Sequence, residues 1–392
     1  MTATYVYDVV RTPFGRYGGG LSGVRPDDLA AHVVGTLVDR SPTLEPERID
    51  DVFFGNANGA GEDNRDVARM AVLLAGLPTS VPGTSINRLC GSSLDATVQA
   101  SRAVETGDAS LALVGGVESM SRSPWVMLKP EKGLPATDAK LHSTTLGWRM
   151  VNPRMPGQWT ISLGESTEKL AAIHGVSREA QDAFALRSHR RTAAAWDGGF
   201  YDDWVVPVPH TELERDENVR PDTSLEKLAK LKPAFVQDGS VTAGNASPLN
   251  DGAAGLWVGD EGAGEILGRE PLARIVSRGV HAVDPDVFGI APVEAANRAL
   301  ERAGIGWGDL VAVELNEAFA AQSLACLAEW KELDPEIVNV DGGAIAIGHP
   351  LGASGARILG TLAYELRRRG GGYGLAAICI GVGQGLALVL HA

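Results

Sequence analysis

Two thiols and one imidazole lie far apart in the chain, each in a short string framed by glycines, and together they describe sulfur nucleophile chemistry. Cys90 stands in Asn87-Arg88-Leu89-Cys90-Gly91-Ser92-Ser93, His349 in Gly342-Gly343-Ala344-Ile345-Ala346-Ile347-Gly348-His349-Pro350, and Cys379 in Cys379-Ile380-Gly381-Val382-Gly383-Gln384-Gly385. Cys90 follows a predicted strand and opens a predicted helix, where the helix dipole favours the thiolate, so it reads as the nucleophile. An imidazole beside a thiol is a standard means of activating it, a part open to His349. A second thiol, Cys379, can act as acid and base on carbon or sulfur, and the amide of Gly381 is free to hold an oxyanion. Asn316, in Asn316-Glu317-Ala318-Phe319 directly after a predicted strand, can hold a water or a carbonyl oxygen. Each string also has a bland reading: a buried cysteine at a helix start, a structural histidine, a tight turn, a helix cap. All four at strand ends of one sheet system make coincidence a poor explanation, and acyl transfer is the chemistry they imply. Cys326, inside a predicted helix and on no glycine turn, reads as core packing.

The elements that must position these residues alternate in βαβ order, which predicts a mostly parallel α/β sheet covered by helices. In the first third, strands are predicted over 5–10, 51–54, 81–86 and 110–115, with helices over 27–38, 64–77 and 90–105. In the last third, strands over 273–280, 310–315, 337–340, 373–380 and 385–390 alternate with helices over 292–303, 318–330 and 352–368. The shared order predicts an internal duplication. Residues 119–250 break the rhythm with prolines, Trp125, Trp148, Trp159, and helical runs around 165–173 and 178–196, and read as a lid for a long ligand. The expected organisation is therefore an N-terminal half over 1–118, a lid and binding-loop domain over 119–250, and a C-terminal half over 251–392. The start of 251–270 is assignable to the first half instead.

With 392 residues the chain is too long for one simple core. Its net charge of -14 argues against nucleic acid as the main partner, while leaving room for a phosphorylated ligand on a local basic patch. Three cysteines without a CxxC pair predict neither a disulfide framework nor a structural zinc site, and no metal is expected. No basic leader or membrane-length apolar run is read, so a reducing cytoplasm, with the thiols free and no membrane partner, is the expectation.

These strings, with Arg11-Thr12-Pro13-Phe14-Gly15 and Gly115-Gly116-Val117-Glu118-Ser119-Met120-Ser121, resemble the thiolase family, and the resemblance runs along essentially the whole chain. It implies a thiolase-like fold of two duplicated βαβαβαββ halves, layered as a helix and sheet sandwich, with an inserted lid. It implies that Cys90 carries the acyl group as a thioester, that His349 is the base, and that Cys379 moves the proton of the acetyl-CoA methyl group. One oxyanion site would pair His349 with a water on Asn316, and the other would use the amides of Cys90 and Gly381. Coenzyme A and acyl-CoA are the implied substrates and partners, with a homodimer or a homotetramer (a dimer of dimers) as the assembly. Residues 220–235 resemble the family's adenine and phosphate loop, and Ala243-Gly244-Asn245-Ala246-Ser247 its pantetheine segment. Arg220 and Ser247 lead the expected CoA contacts, ahead of Lys227, Lys230 and Lys232, and Leu163, Phe235, Ala243 and Phe319 complete them.

The chain departs from the family pattern at Ser162-Leu163-Gly164-Glu165-Ser166, which lacks the lid histidine, at Ser93 and at Val382, where glycines are usual. Residues 61–70 and 147–153 look like the 3-oxoadipyl-CoA thiolases of aromatic-compound breakdown. A substrate ending in a carboxylate would want a cation, for which Arg65 and Arg149 are candidates. The alternatives are a general acetoacetyl-CoA thiolase, a condensing synthase, and a non-catalytic acyl-CoA- or lipid-binding relative. Cys379 argues against the synthase, and the presence of all four site residues argues against the binding protein.

Overall fold

Runs rich in Val, Ile, Leu and Ala, set off by glycine and proline, supply the strands, and longer amphipathic runs supply the helices. The computed structural model describes residues 2–134, 136 and 138–392. Its first part runs β1 (Thr4–Arg11), β2 (Gly15–Arg16), α1 (Pro26–Asp39), β3 (Asp51–Gly55), α2 (Val67–Leu74), β4 (Thr84–Ile86), α3 (Ser92–Thr106) and β5 (Leu111–Ser119). The insertion follows with β6 (Trp125–Val126), β7 (His142–Ser143), α4 (Leu163–His174), α5 (Arg178–Asp197) and α6 (Leu225–Ala229), and β8 (Asn250–Gly259) returns to the sheet. After α7 (Ala263–Leu267) come β9 (Ala273–Ala282), α8 (Ala291–Ala303), β10 (Leu310–Leu315) and α9 (Ala320–Glu329). The chain closes with α10 (Ala344–Ile347), α11 (Ser354–Arg369), β11 (Tyr373–Ile380) and β12 (Gln384–His391).

The sheet order is β10-β11-β12-β9-β1-β8-β5-β3-β4. Outward from its centre, the first half reads β1, β8, β5, β3, β4, and the second reads β9, β12, β11, β10, then a parallel bridge from Val313 to Val338 where β4 has its counterpart. The predicted duplication is thus visible as topology. Pairs β3–β4, β3–β5 and β10–β11 are parallel, but β1–β8, β1–β9, β2–β8, β5–β8, β9–β12 and β11–β12 are antiparallel. The expected mostly parallel sheet is therefore corrected to a mixed one, the strands flanking the centre running opposite to their neighbours. The insertion fills the connection from β5 to β8. In the second half the equivalent connection, β11 to β12, is only the turn around Gly381-Val382-Gly383.

Helices α3 and α11 pack on each other between the two halves, and α11 touches β5 and β8 as well as β10 and β11. Their shared core includes Leu94 and Val98 of α3, Leu359 and Leu362 of α11, and Val114, Ile378 and Leu388 from the strands. Helices α1 and α2 close a second core around Trp257, and α8 closes a third with Trp330. The result is a layered helix and sheet arrangement about one large sheet, with α3 and α11 between the two halves. The insertion is anchored by Arg11, whose Nη1 and Nη2 donate to Asp216 at 2.6 and 2.8 Å. The guanidinium lies about 5 Å from the ring centres of Phe14, Tyr201 and Trp204, so this string is structural.

Several predicted boundaries move. The helix predicted from 64 starts at Val67, because Asn64 and Arg65 take left-handed φ of 53° and 67°. The strand predicted over 81–86 shortens to Thr84–Ile86 after Pro82-Gly83. The helix predicted from 318 starts at Ala320, after an extended Phe319. No strand forms over 337–340. There the side chain of Asn339, at φ 50°, accepts from Leu315 N and donates to Leu315 O, both at 2.8 Å, replacing ladder bonds with side-chain bonds. Among the described residues, no helix is long and apolar enough to cross a membrane.

Candidate active site

Cys90 sits on a sharp turn between β4 and α3. Leu89 takes a left-handed φ of 47°, and Ser92 Oγ, accepting from Arg88 N and donating to Leu89 O at 2.6 Å, braces the turn. Arg88 pins it across the halves, donating to Gln384 Oε1 at 2.9 Å and pairing with Asp95 at 3.0 Å. A side chain at Gly91 would meet Ile380 at 2.6 Å, so the glycine lets the nucleophile turn press against the end of β11. That contact brings Cys90 near the Gly381 amide, which favours its ionised sulfur, and within electrostatic reach of Cys379. Cys379 lies in an apolar cluster with Ala246, Phe288, Ala318 and Phe319, against which Leu163 packs.

His349 ends the glycine-rich turn before α11. A side chain at Gly348, with φ 117°, would collide with the amide of Asn250, which accepts from His349 N at 2.9 Å. The ring's Nδ1 lies 2.6 Å from Ser354 Oγ, and that hydroxyl donates to Pro350 O at 2.8 Å. The hydroxyl proton is thus committed, so Nδ1–H donates to Ser354 and Nε2 carries the free lone pair. Asn316 Nδ2 is 3.5 Å from both ring nitrogens, and its Oδ1 accepts from Arg357 Nη2 at 3.1 Å. Next to it, Glu317 accepts from Ser188 Oγ at 2.6 Å, Asn339 Nδ2 at 2.8 Å and Ile345 N at 3.2 Å, locking the glycine-rich turn to the end of β10.

Buried Glu118, at the end of β5, links the two catalytic turns by accepting from Ala57 N at 3.0 Å and Gly352 N at 2.9 Å. Ala57 O in turn accepts from Asn87 Nδ2 at 3.0 Å. Ser93, one of the departures from the family pattern, accepts from Ala356 N at 2.9 Å and so ties α3 to α11.

The resting electrostatics are neutral. Burial, opposed by the Gly381 amide and reinforced by Glu118, pushes the Cys90 thiol up to about 11. Burial and then Arg357 push His349 down to about 3. Burial, then the Cys90 and Cys326 sulfurs, push Cys379 well above the ordinary thiol range. The helix start favours the thiolate at Cys90, and desolvation acts against it. Burial thus favours the neutral thiol and the neutral imidazole.

The expected coenzyme contacts divide. A cavity of about 350 Å³ is lined by His189, Arg220, Lys227, Ala243, Gly244 and Ile345, and so runs from the basic loop to the helix that leads into His349. Arg220 is exposed and makes no ion pair among the described residues, while Lys227 Nζ is held by Asp222 at 2.5 Å. His189, which the sequence reading missed, is pushed down to about 4 by burial and by Arg220. Ser247 lies outside this lining and donates its backbone N–H to Ala318 O at 2.9 Å, beside the bridge between Ala246 and Phe319. Phe319 meets Phe235 edge-on at 6.1 Å, and the Phe235 ring covers Gly164 so closely that a side chain there would clash at 2.0 Å. Lys232 and Phe235 line a neighbouring surface groove, and Lys230 caps α6.

Arg149, half-buried, donates to Asn58 Oδ1 at 3.4 Å, and Asn58 donates to Thr144 O and Oγ1. Asn58 follows Ala57, the residue held by Asn87 and Glu118, so Arg149 stands beside the Cys90 turn. Arg65 is exposed, and neither arginine forms an ion pair among the described residues. No group of three or more potential metal ligands occurs among those residues.

The models for the thiolase N-terminal and C-terminal domains match residues 4–261 and 269–392. A beta-ketoadipyl-CoA thiolase of Escherichia coli is 52% identical over 100% of both chains. A 3-oxoadipyl-CoA/3-oxo-5,6-dehydrosuberyl-CoA thiolase of Escherichia coli K12 is 51% identical over the same span. The crystal structure of Bacillus anthracis acetyl-CoA acetyltransferase superposes with a TM-score of 0.92 at 40% identity, covering 100% of this chain and 99% of that one. Human mitochondrial 3-ketoacyl-CoA thiolase in complex with CoA gives 0.92 at 39% identity, covering 100% and 98%. Likeness of this extent through both halves shows that the chain belongs to the thiolase family of acyltransferases.

Proposed function

We propose that the protein cleaves 3-oxoadipyl-CoA with CoA, giving acetyl-CoA and succinyl-CoA. The observation that carries this is that the chain is about half identical, end to end, to proteins named for that substrate, while burying Cys90 within electrostatic reach of Cys379 and His349 against Asn316. Cys90 sulfur attacks the C3 ketone as its proton passes to His349 Nε2. The C2–C3 bond breaks, its electrons pass into an enolate, and Cys379 protonates C2 to release acetyl-CoA. The thiol of a second CoA, losing its proton to the site, then takes the succinyl group from Cys90. His349 with a water on Asn316 serves the enolate oxygen, and the Cys90 and Gly381 amides serve the acyl oxygen.

The cavity beside Arg220 and Ala243 supports CoA entry along the insertion, with Leu163, Phe235 and Phe319 beside the pantetheine arm. Arg149 is the cation best situated for the distal carboxylate. The unpaired outer edge of β4, and exposed Trp125, Met127 and Leu128 on the insertion, support a homodimer or a dimer of dimers. Free buried thiols agree with a cytoplasmic setting.

The test is chromatographic detection of acetyl-CoA and succinyl-CoA from 3-oxoadipyl-CoA and CoA, with Arg149→Ala as comparison. The variant is expected to lose about tenfold or more in kcat/KM on 3-oxoadipyl-CoA while keeping acetoacetyl-CoA cleavage, the scale of one charge-assisted pair. An unchanged preference would remove Arg149 from the reading.

A further inference from the structure

Helix α11 carries Ser354 and Arg357 three residues apart, so both project from one side of its first turn. Ser354 holds the ring of His349, and Arg357 reaches the amide of Asn316. Arg357 is fully enclosed, its side chain 1% exposed. Its Nη1 donates to Glu314 Oε2 at 3.0 Å and its Nη2 to Asn316 Oδ1 at 3.1 Å. Glu314 and Asn316 stand two apart at the end of β10, on the same face of the extended chain, and the guanidinium fork spans them.

A guanidinium has donors only. The end of the Asn316 amide that faces it must therefore be the oxygen, and the NH₂ group is turned the opposite way, to His349. An asparagine without such a partner has little steric reason to choose between its two ends. Among the described residues, Asn316 Oδ1 has no other donor.

We propose that Arg357, held by Glu314, is a positioning residue that fixes Asn316 with its NH₂ group toward the reacting oxygen, and that it serves carbon–carbon bond cleavage selectively. This rests on the thiolase reading above, in which the Asn316 site holds the enolate oxygen and the Cys90 and Gly381 amides hold the oxygen of the acyl-cysteine. A flipped amide would turn a lone pair toward the enolate. Losing one oxyanion donor costs about 10²–10³ in rate, which bounds the effect. The transfer of an acyl group between Cys90 and CoA uses the other oxyanion site, so it is spared.

Replacing Arg357 alone would leave Glu314 buried without its partner, so the test uses the paired variant Glu314→Gln/Arg357→Met, in the full-length protein. Two reactions are compared: CoA-dependent thiolysis of acetoacetyl-CoA, and acetyl exchange between acetyl-CoA and dephospho-CoA, which needs only the Cys90 transfer. The paired variant is expected to lose about tenfold to a thousandfold in thiolysis kcat, while exchange stays within about threefold. In an Asn316→Ala background the same change should cost less than about threefold more, because the group it orients is gone. Equal losses in both reactions, no loss in thiolysis, or full additivity with Asn316→Ala would overturn the proposal. Arg357→Lys, which keeps the charge but not the fork, should show the same split at smaller amplitude, and decides the matter if the paired variant does not fold. A wild-type protein inactive in both reactions would instead defeat the thiolase reading itself.

Discussion

In the proposed mechanism, Ser354→Ala isolates the step by which His349 acts as a base. Ser354 Oγ lies 2.6 Å from Nδ1 and gives its own proton to Pro350 O at 2.8 Å, which keeps the ring proton on Nδ1 and the lone pair on Nε2. Alanine leaves a buried N–H without a partner, at a cost of about 1–3 kcal/mol. The ring can avoid that cost by moving its proton to Nε2, the form that cannot accept from Cys90. At about 1.4 kcal/mol per tenfold, the productive tautomer falls by roughly tenfold to a hundredfold, and kcat for thiolysis with it. The assay is steady-state thiolysis of acetoacetyl-CoA at saturating CoA, with circular dichroism to verify the fold. Ser354→Thr keeps the hydroxyl and should restore most of the rate. A folded Ser354→Ala enzyme within threefold of wild type would refute the tautomer argument.

Three other substitutions have defined outcomes. Arg11→Met leaves Asp216 buried and unpaired, and should destabilise the protein by about 3–5 kcal/mol, read as a lowered midpoint in thermal or urea unfolding. Burial raises the Glu118 carboxyl from an ordinary 4.5 to about 8, so between those values the folded protein holds a proton that the unfolded chain releases. That contribution is complete below pH 4.5 and is lost as pH rises through 8, so Glu118→Gln should lose less melting temperature than wild type between pH 5 and pH 8; equal losses would contradict it. Arg220→Ala should raise KM for CoA by about threefold to tenfold with kcat little changed, and the difference should shrink at high salt; a fall in kcat at constant KM would show that Arg220 does something other than bind.

The glycine-framed residues were legible in the sequence because a glycine at a chemical group marks a close approach. Gly91 against Ile380 and Gly348 against Asn250 are the contacts those glycines announced. The order of elements was legible too, since each half repeats the same alternation. Ser354 and Arg357 were not, because a serine and an arginine in a helix look ordinary until the helix is packed beside β10 from the same half and α3 from the other. Strand-like Ile337-Val338-Asn339-Val340 misled because its local preference favours extension, whereas the Asn339 side chain makes the bonds a ladder would have made. The burial that opposes ionisation of Cys90 was hidden for a related reason: a helix start is visible in sequence, and the depth at which it is buried is not. Within the segment 243–247, Ala243 and Gly244 line the cavity, and the Ser247 backbone ties the insertion to Ala318, a division that the sequence alone does not show.

The central claim is tested most directly by kcat/KM for CoA-dependent cleavage of 3-oxoadipyl-CoA beside acetoacetyl-CoA, on the same preparation. The expected result is a preference for 3-oxoadipyl-CoA of about tenfold or more, the scale of one cation–carboxylate contact beside Cys90. Equal or better cleavage of acetoacetyl-CoA would contradict the claim and make the protein a general acetoacetyl-CoA thiolase.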